Sequence, residues 1–169
     1  MAAQDSGSQA GDALLAKGGK YLTFALGNED YGLEILKVRE IIALMDITPV
    51  PLAPPHVRGV INLRGKIIPV IDLRLKFSMP RSDDHDRKCI IVVEVARRGR
   101  TTQMSMLVDA VSDVMHIDGK DIAPPPSFGG SEASFILGMG KCRGGLKLLL
   151  DIDSVLSTDD LLTIGEVSS

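Results

Sequence analysis

Arg58-Gly59-Val60-Ile61-Asn62-Leu63-Arg64-Gly65-Lys66-Ile67-Ile68-Pro69-Val70-Ile71-Asp72-Leu73 reads as a β-hairpin. Two runs of β-branched and aliphatic residues, Val60 to Leu63 and Ile67 to Ile71, flank Arg64-Gly65, and the Gly supplies the positive φ that the reversal needs. Pro69 has no N–H to donate, so the second strand is expected at a sheet edge or beside a break in pairing. Asp72 then suits the N-cap of a short helical turn from Leu73 to Phe77.

A weaker copy follows 79 positions later, Gly138-Met139-Gly140-Lys141-Cys142-Arg143-Gly144-Gly145-Leu146-Lys147-Leu148-Leu149-Leu150-Asp151-Ile152. Without a gap, Gly59 meets Gly138, Arg64 meets Arg143, Gly65 meets Gly144 and Asp72 meets Asp151. The order strand, Arg-Gly reversal, aliphatic strand, Asp cap is repeated, so two related β units in tandem are expected.

Working outward, each hairpin is preceded by a similar series. Tyr21 to Leu26 and Tyr31 to Ile35 read as two strands about Gly27-Asn28-Glu29-Asp30; Ile90 to Val95 and Gln103 to Val108 read as two more about Arg97-Arg98-Gly99-Arg100. Ile35, Val38, Ile41 and Ile42 then recur at helical spacing, which predicts one or two helical turns, and Val108, Val111 and Val114 repeat that spacing. Thr48-Pro49-Val50-Pro51, Pro54-Pro55 and Pro124-Pro125-Pro126 impose extended chain before each hairpin. Residues 1–20, rich in Gly, Ser, Gln and Ala, are expected to be a disordered tail, and 158–162 a short C-terminal helix. Five short strands per half suit a small SH3-like barrel, twice over.

The 169 residues hold 44% hydrophobic but only 4% aromatic side chains and no Trp, so the core must be aliphatic. A net charge of −3 gives no basic field for nucleic acid or anionic lipid. No apolar run approaches the ~18 residues of a membrane span, and the start of the chain lacks the basic and apolar segments of a signal peptide. A cytosolic protein is expected, with Cys89 and Cys142 as buried, reduced thiols.

Chemistry is sparse. His56, His85 and His116 follow no metal-ligand spacing, no Gly-rich loop leads into Gly-Lys-Ser/Thr, and no Ser or Cys has the context of a nucleophile. Asp72 and Asp151 are better explained as helix caps than as a catalytic pair, and Asp109 and Asp113 as loop or surface carboxylates. No cofactor is implied. A binding module is favoured over an enzyme.

The segments Tyr31 to Ile41, Gly59 to Leu73 and Leu107 to Val114 resemble the CheW family, the coupling proteins of bacterial chemotaxis. The resemblance runs from about Tyr21 to Leu162. CheA carries such a domain behind phosphotransfer and ATP-binding modules and CheV fuses one to a receiver; 169 residues leave room for neither, so a stand-alone coupling protein is expected. The resemblance implies a mainly β fold, in which residues 21–169 form two tandem five-stranded SH3-like barrels. They would correspond roughly to the two halves, with an exchange of strands between them left open, and would share an apolar seam. It further implies a non-enzymatic scaffold in the cytoplasm, within receptor arrays at the inner membrane. Its partners would be the cytoplasmic hairpin of methyl-accepting chemoreceptors and the regulatory domain of the kinase CheA. The matching groove positions are Leu22, Ile35, Val38, Ile41 and Val111, with core as the alternative for Leu22 and Ile35 above all. Glu40 and Arg64 match charged positions of the coupling surface, and an ion pair between them that supports the groove is the alternative role. The competing function is an SH3-like peptide-binding module of another signalling pathway.

Overall fold

A computed structural model describes residues 18–80, 87–97, 99–125, 135–143 and 145–156. The chain is mainly β. Its strands are β1 (Gly18–Leu26), β2 (Glu29–Glu34), β3 (Val38–Ala43), β4 (Val57–Leu63), β5 (Lys66–Asp72), β6 (Cys89–Arg97), β7 (Arg100–Val108), β8 (Ala110–Asp118), β9 (Ile122–Ala123), β10 (Ile136–Cys142) and β11 (Gly145–Leu150). They form a six-stranded sheet in the order β8-β1-β2-β11-β10-β9 and a five-stranded sheet in the order β3-β6-β7-β5-β4.

Both sheets close in the same manner. Beyond β3 the chain crosses to the opposite edge of its sheet, where Thr48 and Val60 exchange two backbone hydrogen bonds of 2.9 Å. Beyond β8 it passes through the 3-10 turn Gly119–Asp121 into β9, which pairs with β10. The second closure adds a two-residue strand, hence six strands where five were expected.

Neither sheet is built from one half of the sequence. The hairpin β1-β2 joins β8, β10 and β11, while β6-β7 joins β3, β4 and β5. The same parallel junction seals both exchanges: β2 beside β11, and β7 beside β5. Exchanged strands are buried on both faces, which is why Ile90-Ile91-Val92-Val93 is apolar without alternation. Ile90 and Val92 point into the second barrel, and Ile91 and Val93 into the seam between barrels. Among the described residues the seam is the main core, eighteen buried side chains against six and three inside the barrels. Two barrels with such small interiors depend on one another.

The organising hairpin has the expected form. Arg64 (φ 52°) and Gly65 (φ 89°) both take left-handed conformations, a two-residue turn of the kind that matches strand twist, and Asn62 Oδ1 accepts from Gly65 N at 2.9 Å. β5 is not an edge strand; its parallel ladder to β7 starts only at Val70, and the Ser105 hydroxyl donates to the Pro69 carbonyl at 2.8 Å. Asp72 caps the turn Leu73–Lys76, accepting from Arg74 N at 3.0 Å and Leu75 N at 3.4 Å, with Arg58 Nη1 at 3.3 Å. Asp151 precedes the equivalent turn Ile152–Val155, yet its carboxylate caps no backbone N–H and instead accepts from the Ser154 hydroxyl at 3.1 Å.

Other expectations need correction. The helical spacing at Ile35 yields only the 3-10 turn Ile35–Lys37; Val38 onward is strand, as are Val111 and Val114. β1 takes in Gly18, Gly19 and Lys20, opposite Asp118, Ile117 and His116, so the expected tail is too long at its end. The expected helix at 158–162 lies outside the described residues. Cys89 and Cys142 are free, and only partly buried.

Candidate binding groove

The spacing that mimicked a helix comes from two β-bulges. In β3, Val38 lies opposite Val93 and Glu40 opposite Val92, which leaves Arg39 as an extra residue; its guanidinium meets Glu94 at 2.9 Å. In β8, Val111 lies opposite Phe24 and Asp113 opposite Thr23, which leaves Ser112 extra. One extra residue turns the strand period of two into a local step of three. Val38 and Ile41 therefore share the seam-facing side of β3, opposite Val93 and Ile91, and Val111 and Val114 share that of β8, opposite Phe24 and Leu22. Buried Thr23 fixes the second bulge: its hydroxyl donates to the Asp113 carbonyl at 3.1 Å and accepts from Asp113 N at 3.2 Å.

The anticipated residues separate by depth. Leu22 is 1% exposed and belongs to the seam core, so it offers no surface to a partner. Ile35, Val38 and Val111 are partly buried against that same core. Ile41 is 44% exposed, and Val114, absent from the anticipated set, is 45% exposed at the repeat-equivalent position. The repeated spacing at Val108, Val111 and Val114 held the signal for Val114; without the bulge, its direction was not legible.

Glu40 and Arg64 do form an ion pair, with hydrogen bonds to both carboxylate oxygens. Glu40 stands on β3 and Arg64 at the tip of the β4-β5 hairpin, the two opposite edges of the five-stranded sheet. The pair spans the mouth of the barrel. Arg64 is largely exposed, so this contact orients the hairpin more than it stabilises the fold.

Two further ion pairs tie the barrels together, and sequence reading missed both. Lys37 Nζ, in the turn between Ile35 and Val38, meets Asp153 at 2.9 Å, and Asp153 also accepts from Ala96 N at 2.9 Å. Arg74 donates to both Asp109 oxygens, at 2.7 to 3.0 Å, and Asp109 also accepts from Gly27 N at 2.7 Å. In each, a carboxylate binds a cation and a hairpin backbone N–H, but the charges are swapped between corner and helical turn. Asp109 is thus a cross-barrel clasp rather than a surface carboxylate. Burial pushes its carboxyl up, but the hydrogen bonds from Arg74 and Gly27 N and the charges of Arg74 and Lys88 outweigh that and hold it below the ordinary range.

The model of the CheW-like domain family matches residues 20–160. The chain is 35% identical to the chemotaxis protein CheW of Klebsiella aerogenes over 152 residues, 89% of both chains. It is 36% identical to that of Rhizobium meliloti over 148 residues, 86% of this chain and 93% of the relative. The crystal structure of the scaffolding protein TtCheW from Thermoanaerobacter tengcongensis superposes with a TM-score of 0.75 at 34% identity, covering 85% of this chain and 95% of that one. With its doubled, strand-exchanged barrels and with these matches along most of its length, the chain belongs to the CheW-like family.

Proposed function

We propose that this protein is a non-enzymatic scaffold of chemotaxis signalling. It couples the cytoplasmic hairpin of methyl-accepting chemoreceptors to the regulatory domain of the histidine kinase CheA, in cytoplasmic arrays beneath the inner membrane. The observation that supports the reading is that each of two bulged strands turns an aliphatic pair to its seam-facing side: Val38 and Ile41 on β3, Val111 and Val114 on β8. An α-helix presents apolar side chains every three to four residues, and two such aliphatic pairs would together form a groove suited to it. If Ile35 and these four each lose on the order of 50 Å² to the partner, the gross gain is roughly 6 kcal/mol. Association costs several kcal/mol of that. A single contact is therefore weak, and useful where many act together.

Titration of a receptor cytoplasmic hairpin onto the protein tests this. Val38→Asp or Val111→Asp should weaken binding at least tenfold, because a carboxylate must then be desolvated in the groove. Unchanged affinity in both variants, with the fold intact, would exclude the groove as the receptor site. For the charged pair the expectation differs. Arg64→Ala should leave the melting temperature close to that of the parent and lower kinase stimulation in a reconstituted receptor–kinase assembly. Full stimulation by that variant removes Arg64 from the coupling surface.

A further inference from the structure

Leu52, in the segment between β3 and β4, is 101% exposed and stands at φ 66°, in the left-handed region. The turn that holds it is short: the Val50 carbonyl accepts from Ala53 N at 3.4 Å, with Pro51 second and Leu52 third. The third place of such a Pro-led turn calls for positive φ, and Gly or Asn ordinarily takes it. A bulky side chain there is a conformational outlier, and no burial offsets its strain. A lone exposed leucine is ordinary; one kept in a strained turn points to a role outside the fold.

The segment around Leu52 is held at both ends. Thr48 is bonded to Val60, Val57 N donates to the Pro54 carbonyl at 2.9 Å, and the His56 carbonyl accepts from Asp72 N at 2.8 Å. Val50 and Ala53 pack against the seam core, so the turn is anchored on either side of its exposed tip. Pro49, Pro51 and Pro55 are exposed beside Leu52, and from Ile47 to Pro55 no residue carries a charge. The surface is thus apolar, stiff and already ordered, which leaves little conformational entropy to lose when a partner covers it. Leu52 lies on neither of the strands that carry Val38, Ile41, Val111 and Val114.

We infer that Leu52 is an anchor for a folded protein partner and, resting on the reading of the chain as a coupling scaffold, that this partner is the regulatory domain of the kinase. A single protruding side chain needs a pocket to enter. A globular domain supplies one, whereas a helical hairpin offers only the shallow grooves between its ridges. One leucine is also too little apolar surface to hold a chain on a lipid bilayer. The bulged strands then stay free for the receptor while the turn holds the kinase, as coupling requires.

Calorimetric titration of the kinase regulatory domain onto the full chain tests this, with urea denaturation of each variant alongside. Leu52→Asn should weaken binding of the kinase domain by about tenfold or more, since a buried leucine is lost from the contact. It should leave the affinity for the receptor hairpin at the parent value. Its urea midpoint should rise, because Asn takes the left-handed conformation readily. Leu52→Met keeps an apolar side chain of similar volume and should bind within about threefold of the parent. Parent-like binding of the kinase domain by Leu52→Asn would overturn the inference alone. A lowered midpoint would do the same, by making Leu52 part of the fold, as would loss of the receptor hairpin in place of the kinase domain. Self-association of the parent that Leu52→Asn abolishes, with kinase binding intact, would give the turn to a second copy of the chain and equally defeat it. A kinase domain that does not bind even the parent would sink the inference together with the coupling reading.

Discussion

Gly59→Ala is expected to destabilise the protein by about 4 kcal/mol, a large part of the total that a domain of this size possesses. Gly59 has φ +142°, and a Cβ built on it lies 2.0 Å from the Thr48 carbonyl oxygen and 2.7 Å from the carbonyl carbon. These are backbone atoms, pinned by the reciprocal Thr48–Val60 hydrogen bonds that close the second barrel. The methyl group cannot be accommodated by rotating a side chain, so the closure itself must open. The left-handed backbone alone would cost roughly 1–2 kcal/mol, and overpacking adds roughly 1–3 kcal/mol. Gly65→Ala is the control. Its φ is +89°, but nothing lies within 4 Å of the added carbon, so it should cost only about 1 kcal/mol. Urea denaturation of the two variants decides the matter; equal losses would mean that conformation, and not collision with Thr48, governs Gly59.

Arg74→Ala should cost about 2 kcal/mol, because it leaves Asp109, in a half-buried place, with the Gly27 N–H as its hydrogen-bond donor among the described residues. Asp109→Ala should cost a similar amount, since among the described residues the Arg74 guanidinium then donates only to the Pro80 carbonyl, at 2.9 Å. The double variant should lose much less than the sum, with a coupling of about 1 kcal/mol or more. Additive losses would show that the clasp is only a coincidence of position. The pH dependence has a definite sign. The Asp109 carboxyl is depressed in the folded protein, so the stability it brings is fully present above the unfolded value of about 3.9 and is lost as pH falls through the lower folded value. Arg74→Ala should therefore converge on the parent as the pH drops below about 4. A gap that stays constant between pH 3 and 7 would contradict this assignment.

The hairpins were legible because a turn is a local matter: Arg64-Gly65 and its flanking aliphatics decide it without help from the rest of the chain. The duplication was legible for the same reason, since Gly59, Arg64, Gly65 and Asp72 each have a counterpart at one constant offset. The bulges were not. Val38 and Ile41 at a spacing of three look helical until Val92 and Val93 opposite them reveal that Arg39 is unpaired. Long-range ion pairs were equally hidden. Nothing local to Arg74 names Asp109, 35 residues away, and nothing local to Asp151 shows that its neighbour Ser154, and not a backbone N–H, takes its carboxylate. Leu22 was ambiguous between core and groove because a seam-facing residue serves either, depending on its depth. The structure buries it in the seam core.

The exchange of hairpins also dictates an order of assembly during synthesis. When β5 has left the ribosome, β3, β4 and β5 still await β6 and β7, and the hairpin β1-β2 has no sheet to join. The second barrel can be completed once Val108 emerges, but the first needs Leu150, so the earliest strands made are among the last to settle. Nascent chains would thus carry Phe24, Leu26 and Leu33 uncovered until β8, β10 and β11 have been made, so the apolar strands of the first barrel stay open to aggregation after the second has closed.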